Sequence, residues 1–139
     1  MKFLGLYSLI ICFLCISCQE SNRNQVENST ENKSKDYIRT IPGKDDSLDL
    51  ELVKNGEVLV AYSDCYDCHR TEKRLKGPAF QDIAKRYPIQ EVYIHHLARK
   101  IINGSTGAWG YPVMEPHPNI SMEEAKIMAS FILSLDNLK

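Results

Sequence analysis

The apolar residues of this chain fall into separated blocks. An almost unbroken run over residues 3–16 follows a single positive residue, Lys2. Residues 19–46, QESNRNQVENSTENKSKDYIRTIPGKDD, then carry only Val26, Tyr37, Ile38 and Ile41 as sizeable apolar side chains. From residue 47 onward the spacing becomes helical. Leu52, Val53, Gly56, Leu59 and Val60 share one face of a helix predicted over 49–63. A glycine inside a helix costs about 1 kcal/mol relative to alanine, so Gly56 marks the close approach of another helix. Phe80, Ile83 and Ala84 predict a short second helix over 79–87, ended by Pro88. Ile89, Val92, Tyr93, Leu97 and Ile101 stripe a third over 89–102, with Asn103-Gly104 as its stop. The stretch 104–120, GSTGAWGYPVMEPHPNI, is rich in Gly and Pro and is expected to form no regular element. Ser121-Met122-Glu123-Glu124 is a capping box. It opens a last helix to about residue 138, with Ala125, Met128, Ala129, Ile132 and Leu133 inward.

No stretch alternates convincingly as a strand does, so the expected class is all-α, about four short helices in a body at 47–139. A body of about ninety residues gains little stability from burial alone. A large apolar cofactor would give such helices something to pack on.

The apolar run at 3–16 is shorter than the roughly 20 residues a membrane-spanning helix needs. It fits the hydrophobic region of an export signal over 1–17. Cys12, Cys15 and Cys18 lie in or beside this leader, which is removed or sits in lipid, so they are not read as a metal site. Cys18 follows a short stretch ending in Ser17 and precedes a strongly polar segment. This resembles the lipobox of bacterial lipoproteins, in which the cysteine is acylated and becomes the new N-terminus, although Cys15 stands where Leu is usual. Acylation would hold the protein at a membrane surface without spanning it. The alternative is plain cleavage and a free periplasmic protein. Residues 18–46 bury too little apolar surface to order themselves and are expected to act as a flexible tether with a reach of roughly 30 Å. The formal net charge is −1. That offers no basic surplus for nucleic acid and no strong steering field.

The body holds two cysteines, in SDCYDCHRTEKRLKGPAF at 63–80, with His69 directly after Cys68. A disulfide across two intervening residues is usually strained and redox-active. A thioredoxin-like thiol pair needs a neighbouring βαβ pattern, and the strands are missing. Zinc needs four ligands. Cys65, Cys68 and two of His95, His96 and His117 lack that spacing, since His95 and His96 are adjacent and point to different helix faces. The remaining reading is covalent haem, for which C-x-x-C-H is the attachment pattern. On a helical turn the two thiols lie on one side and reach the two vinyl groups on one porphyrin edge, and the next residue projects over the ring face toward iron.

A second axial ligand is then needed. Met122 and Met128 fall on the last helix, where Met is usually core filler. His95 and His96 are most simply surface or helix-boundary residues. Met114 stands in the Gly/Pro loop, and its soft thioether suits low-spin iron. His117, three residues on, is the other candidate.

DCYDCHRTEKRLKGPAFQDIAKRY, ARKIINGS, TGAWGYPVMEPHP and EEAKIMASFILSL, in this order and spacing, resemble the small class I c-type cytochromes of bacterial respiratory chains, over about 56–138. The resemblance implies one haem c, thioethers at Cys65 and Cys68, and axial ligation by His69 and Met114. It implies that the Pro78 carbonyl accepts a hydrogen bond from His69 Nδ1 and that Trp109 packs at the haem edge. Gly56 and Phe131 match the crossing of the first and last helices. With both faces of the iron taken, no position remains for a small-molecule substrate. The implied role is a one-electron carrier between a redox protein donor and acceptor rather than an enzyme. The alternatives are a small-gas sensor or a fixed subunit of a larger oxidoreductase. The polar tether and the Cys18 lipobox lie outside the resemblance.

Overall fold

Asp49 starts the first helix by accepting from two backbone N–H groups at once. Its Oδ1 takes Glu51 N at 2.7 Å and Leu52 N at 3.1 Å, satisfying donors that an unpaired helix start would leave open. In the computed structural model, residues 37–136 are described. Helix α1 spans Leu50–Ala61 and is followed by a 3₁₀ turn at Asp64–Asp67. Helices α2 (Phe80–Arg86) and α3 (Glu91–Asn103) come next. A two-stranded hairpin, β1 (Ser105–Gly107) and β2 (Gly110–Met114), leads to α4 (Met122–Ser134). Among the described residues no helix is long and apolar enough to cross a membrane.

The capping box forms as the sequence implies. Ser121 Oγ accepts Glu124 N at 3.2 Å, and Glu124 Oε2 accepts Ser121 N at 2.9 Å. Those bonds hold the Glu124 carboxyl below its usual range. Helix α4 is the hub, with α1, α2 and α3 all packing on it. Val60, Phe80, Met128 and Leu133 are the largest side chains buried essentially completely. At the α1–α4 crossing a Cβ on Gly56 would overlap the Ile127 carbonyl and lie 2.6 Å from Phe131 Cβ. Only glycine permits that approach without displacing α4 backbone.

The structure departs from the sequence reading in three places. Residues 104–120 contain a regular element: an antiparallel hairpin pairing Ser105 with Met114 and Gly107 with Gly110. Gly107 and Gly110 both sit at φ 80°, a region glycine enters without penalty, and they allow the chain to reverse within a few residues. In α3 the buried face is Ile94, Leu97, Ala98 and Ile101, while Val92 is 64% exposed. The helix begins at Glu91 rather than at residue 89, and Ile89 is buried just ahead of it. Third, the expected tether runs into the body. Ile41 N donates to Arg86 O and Asp46 N to Ile89 O, both at 2.8 Å. Asp45 Oδ1 accepts Ile89 N at 2.7 Å, and Ile41 packs against the core. The contact-defined unit accordingly begins at Tyr37. The leader, Cys18, the tether before residue 37 and residues 137–139 lie outside the described residues.

Gly56→Ala adds a methyl group to the crossing. It should destabilise the protein by about 1–3 kcal/mol despite the better helix propensity of alanine, read as a lower thermal midpoint. An unchanged midpoint would show that α4 moves away freely.

Candidate functional site

The 3₁₀ turn at Asp64–Asp67 closes with Cys68 N donating to Cys65 O at 3.3 Å and His69 N to the same carbonyl at 3.0 Å. In this geometry residues three apart eclipse one another, so the Cys65 and Cys68 side chains emerge on the same side. Both are free thiols, half-buried, and both line a cavity of about 440 Å³. Burial, helped by the Asp64 carboxylate, pushes the Cys65 thiol up to about 11. A thiol held protonated is a poor redox nucleophile, which weighs against Cys65 as the attacking thiol of an exchange pair.

His69 is buried and stacks on Phe80, with ring centroids 5.1 Å apart and planes 16° from parallel. Its Nδ1 lies 2.7 Å from Pro78 O. A carbonyl only accepts, so Nδ1 carries the proton and the lone pair resides on Nε2. Burial lowers the imidazole pKa, opposed by the Pro78 bond, so the neutral, metal-binding form is favoured. The chain after His69 folds back to deliver that carbonyl. Gly77 N donates to Cys68 O at 2.8 Å and Phe80 N to Arg70 O at 3.0 Å. Gly77 faces the ring so closely that a Cβ there would lie 2.5 Å from His69 Cε1.

Met114 ends β2 and lines the same cavity as His69, with Trp109 from the hairpin. Leu97, Ile101, Met128 and Ile132 contribute apolar walls from α3 and α4. His117 also lines this cavity, with both ring nitrogens engaged. Its Nδ1 is 3.2 Å from Ile101 O and its Nε2 3.0 Å from Asp64 Oδ1. His95 is exposed and His96 packs on Tyr87 at 5.9 Å; neither lines the cavity. Among the described residues no group of three or more His, Cys, Asp or Glu side chains is placed to hold a bare metal ion, as zinc would need.

The structure thus brings Cys65, Cys68, His69, Pro78, Trp109 and Met114 to one cavity. Sequence reasoning missed the surroundings of Trp109. Tyr37 packs on the indole at 5.3 Å between centroids and the Arg86 guanidinium lies 4.6 Å above it. No motif or spacing in the chain links positions 37, 86 and 109.

The sequence pattern of the family described as Cytochrome c matches residues 53–136. The chain is 41% identical over 80 residues to a cytochrome c-551 of Pseudomonas denitrificans, spanning 58% of this chain and 96% of that protein. It is 40% identical over 77 residues to a cytochrome c-552 of Nitrosomonas europaea, spanning 55% of this chain and 75% of that one. The crystal structure of wild-type Nitrosomonas europaea cytochrome c552 superposes with a TM-score of 0.54 at 39% identity, covering 57% of this chain and 98% of that one. The chain belongs to the cytochrome c family, and within it to the small class I c-type cytochromes. It is an electron carrier with one covalently bound haem c.

The residues present fit that group. Two free thiols, an imidazole with its Nε2 lone pair left for a metal, and a thioether surround an apolar cavity within the range of ordinary cofactor pockets, roughly 300–1,000 Å³. When bound, the haem supplies an iron that cycles between ferric and ferrous states.

Gly77→Ala should push the His69 ring off the Pro78 carbonyl. The ratio of haem absorbance to protein in the purified material should fall several-fold; a wild-type ratio would mean the ring has room to yield.

Proposed function

We propose that Cys65 and Cys68 carry the thioether bonds and that His69 and Met114 are the axial ligands of a low-spin haem c. Pro78 aims His69 through its carbonyl, and Trp109 forms part of the haem environment. The observation that carries this reading is the meeting of His69 and Met114, from segments 45 positions apart in the numbering, in one cavity with both thiols. A thioether opposite an imidazole raises the reduction potential relative to two imidazoles. With both axial positions held by the chain, the role is outer-sphere transfer of one electron at a time between protein partners, with no bound substrate and no enzymatic turnover.

The leader places this carrier on the periplasmic side of a bacterial respiratory or related electron-transfer chain. Cys18 is the lipidation site, and the residues between it and Tyr37 tether the haem domain to the membrane. The leader's apolar run and the lipobox-like setting of Cys18 support this part of the reading.

A pyridine haemochrome spectrum should show a haem saturated at both vinyl positions. Met114→Ala should abolish the thioether-to-ferric-iron charge-transfer band while leaving the haem attached; survival of the band would assign the sixth ligand elsewhere. In cells fed a labelled fatty acid, the full chain should acquire label and Cys18→Ser should not. Label on Cys18→Ser, or none on the full chain, would contradict the anchor.

A further inference from the structure

The hairpin that bears Met114 has little of its own to hold it. Its strands are three and five residues long, with a register irregularity between Ser105 and Gly107. A lone two-stranded hairpin is marginally stable in water. Tyr111 and Val113 are exposed, at 89% and 57%. A Cβ built on Gly107 or Gly110 would meet nothing within 4 Å. The tip of the hairpin therefore packs loosely, yet it must present a ligand at a fixed place.

Two arginines from outside the hairpin bind that tip. Arg86, at the end of α2, donates from Nη1 to Ala108 O at 2.7 Å. Arg74, on the segment after His69, donates from Nη2 to Trp109 O at 3.2 Å and to Tyr111 O at 3.3 Å. Hydrogen bonds from a charged donor are about twice as strong as neutral ones. The same two guanidiniums are themselves held by rings. Arg86 lies 4.6 Å over Trp109, Tyr37 packs on Trp109 at 5.3 Å, and Arg74 lies 4.6 Å over Tyr37. Arg86 is tied in again through its own carbonyl, which accepts Ile41 N. Tyr37 and Ile41 precede residues 53–136, the part that the family pattern covers, so this brace comes from the segment that leads into the haem domain.

We infer that Arg74 and Arg86, braced by Tyr37, are positioning residues that clamp the hairpin tip and thereby govern how readily Met114 leaves the sixth iron position. The inference rests on Met114 being that ligand. Met114 lies three residues beyond Tyr111 on the same strand, so motion of the tip is transmitted to it along a single stretch of backbone. Releasing one charge-assisted bond raises the population of the open hairpin about tenfold. The clamp holds the backbone carbonyls of Ala108, Trp109 and Tyr111 and, through Arg86 and Tyr37, the Trp109 ring.

The test uses the full haem-loaded protein and the variants Arg74→Ala, Arg86→Ala, Arg86→Lys and Tyr37→Ala. Two readouts are taken well below the thermal midpoint: the strength of the thioether-to-ferric-iron band, and the rate at which carbon monoxide enters the reduced protein. With helical circular dichroism unchanged, Arg74→Ala and Arg86→Ala should each weaken the band and accelerate carbon monoxide entry about tenfold. Tyr37→Ala should shift both in the same direction, and Arg86→Lys should fall between wild type and Arg86→Ala. Arg74 is exposed, so its variant carries the test alone if Arg86→Ala does not fold. Wild-type band and rate in Arg74→Ala would overturn the clamp. Met114→Ala, measured alongside, separates the two ideas. If it keeps the band, the ligand assignment fails; if it loses the band while the arginine variants match wild type, only the clamp fails.

Discussion

The imidazole of His69 is buried, with Phe80 stacked on it and Gly77 close against its Cε1, and its Nδ1 is committed to the Pro78 carbonyl at 2.7 Å. That contact fixes the tautomer, because the carbonyl has no proton to give. It also fixes the rotation of the ring, and hence the direction in which Nε2 faces. Gly77 allows the close approach, position 78 supplies its backbone carbonyl, and the fold-back bonds Gly77 N to Cys68 O and Phe80 N to Arg70 O hold that carbonyl in register with the 3₁₀ turn. The residues from Asp64 to Phe80 are thus one mechanical unit. It delivers two thiols and one imidazole to the same cavity, and α4 supports it through Phe80 and Met128 in the common core.

The other half of the site is built differently. Met114 comes from a hairpin whose own pairing is short and irregular, so its placement depends on groups donated from the rest of the chain. His117 N reaches the Ile101 and Ile102 carbonyls, and the His117 ring spans from Ile101 O to Asp64. The stretch after Met114 is thereby pinned to α3 and to the start of the 3₁₀ turn at Asp64–Asp67. His69 and Met114 sit on different supports: one inside a buried, hydrogen-bonded unit, the other on a strand held from outside. On the proposed ligation, this arrangement keeps the His69 side rigid and leaves the Met114 side as the part that sequence changes elsewhere in the chain can tune.

Much of this was legible in the sequence, for physical reasons. Helices buried on one side leave a three- and four-residue apolar spacing, and all four were found, with ends displaced by one to a few residues. Ser121 and Glu124 are a local pair, and their hydrogen bonds form as their spacing implies. The turn at Cys65–His69 is legible because its pattern is local: Cys65, Cys68 and His69 stand three and one apart in C-x-x-C-H. The hairpin was not legible, since the glycines that allow it to turn also dilute any alternation of side chains. The ordering of residues 37–46 was hidden because composition averages over a segment. Asp45, Asp46 and Ile41 are fixed by partners near residues 86–89 that only the folded chain brings close. The arginine and tyrosine contacts around Trp109 join positions far apart in sequence, with no motif to announce them.

The central claim is that His69 and Met114 hold one iron between them within a single cavity. Proton NMR of the reduced, haem-loaded protein tests it most directly. A methionine methyl group held over the porphyrin face lies in the strongest part of the ring current. The account predicts one three-proton signal far upfield of every other methyl, assigned through its side-chain couplings to Met114. Absence of such a signal from the reduced protein, or its assignment to Met122 or Met128, would contradict it.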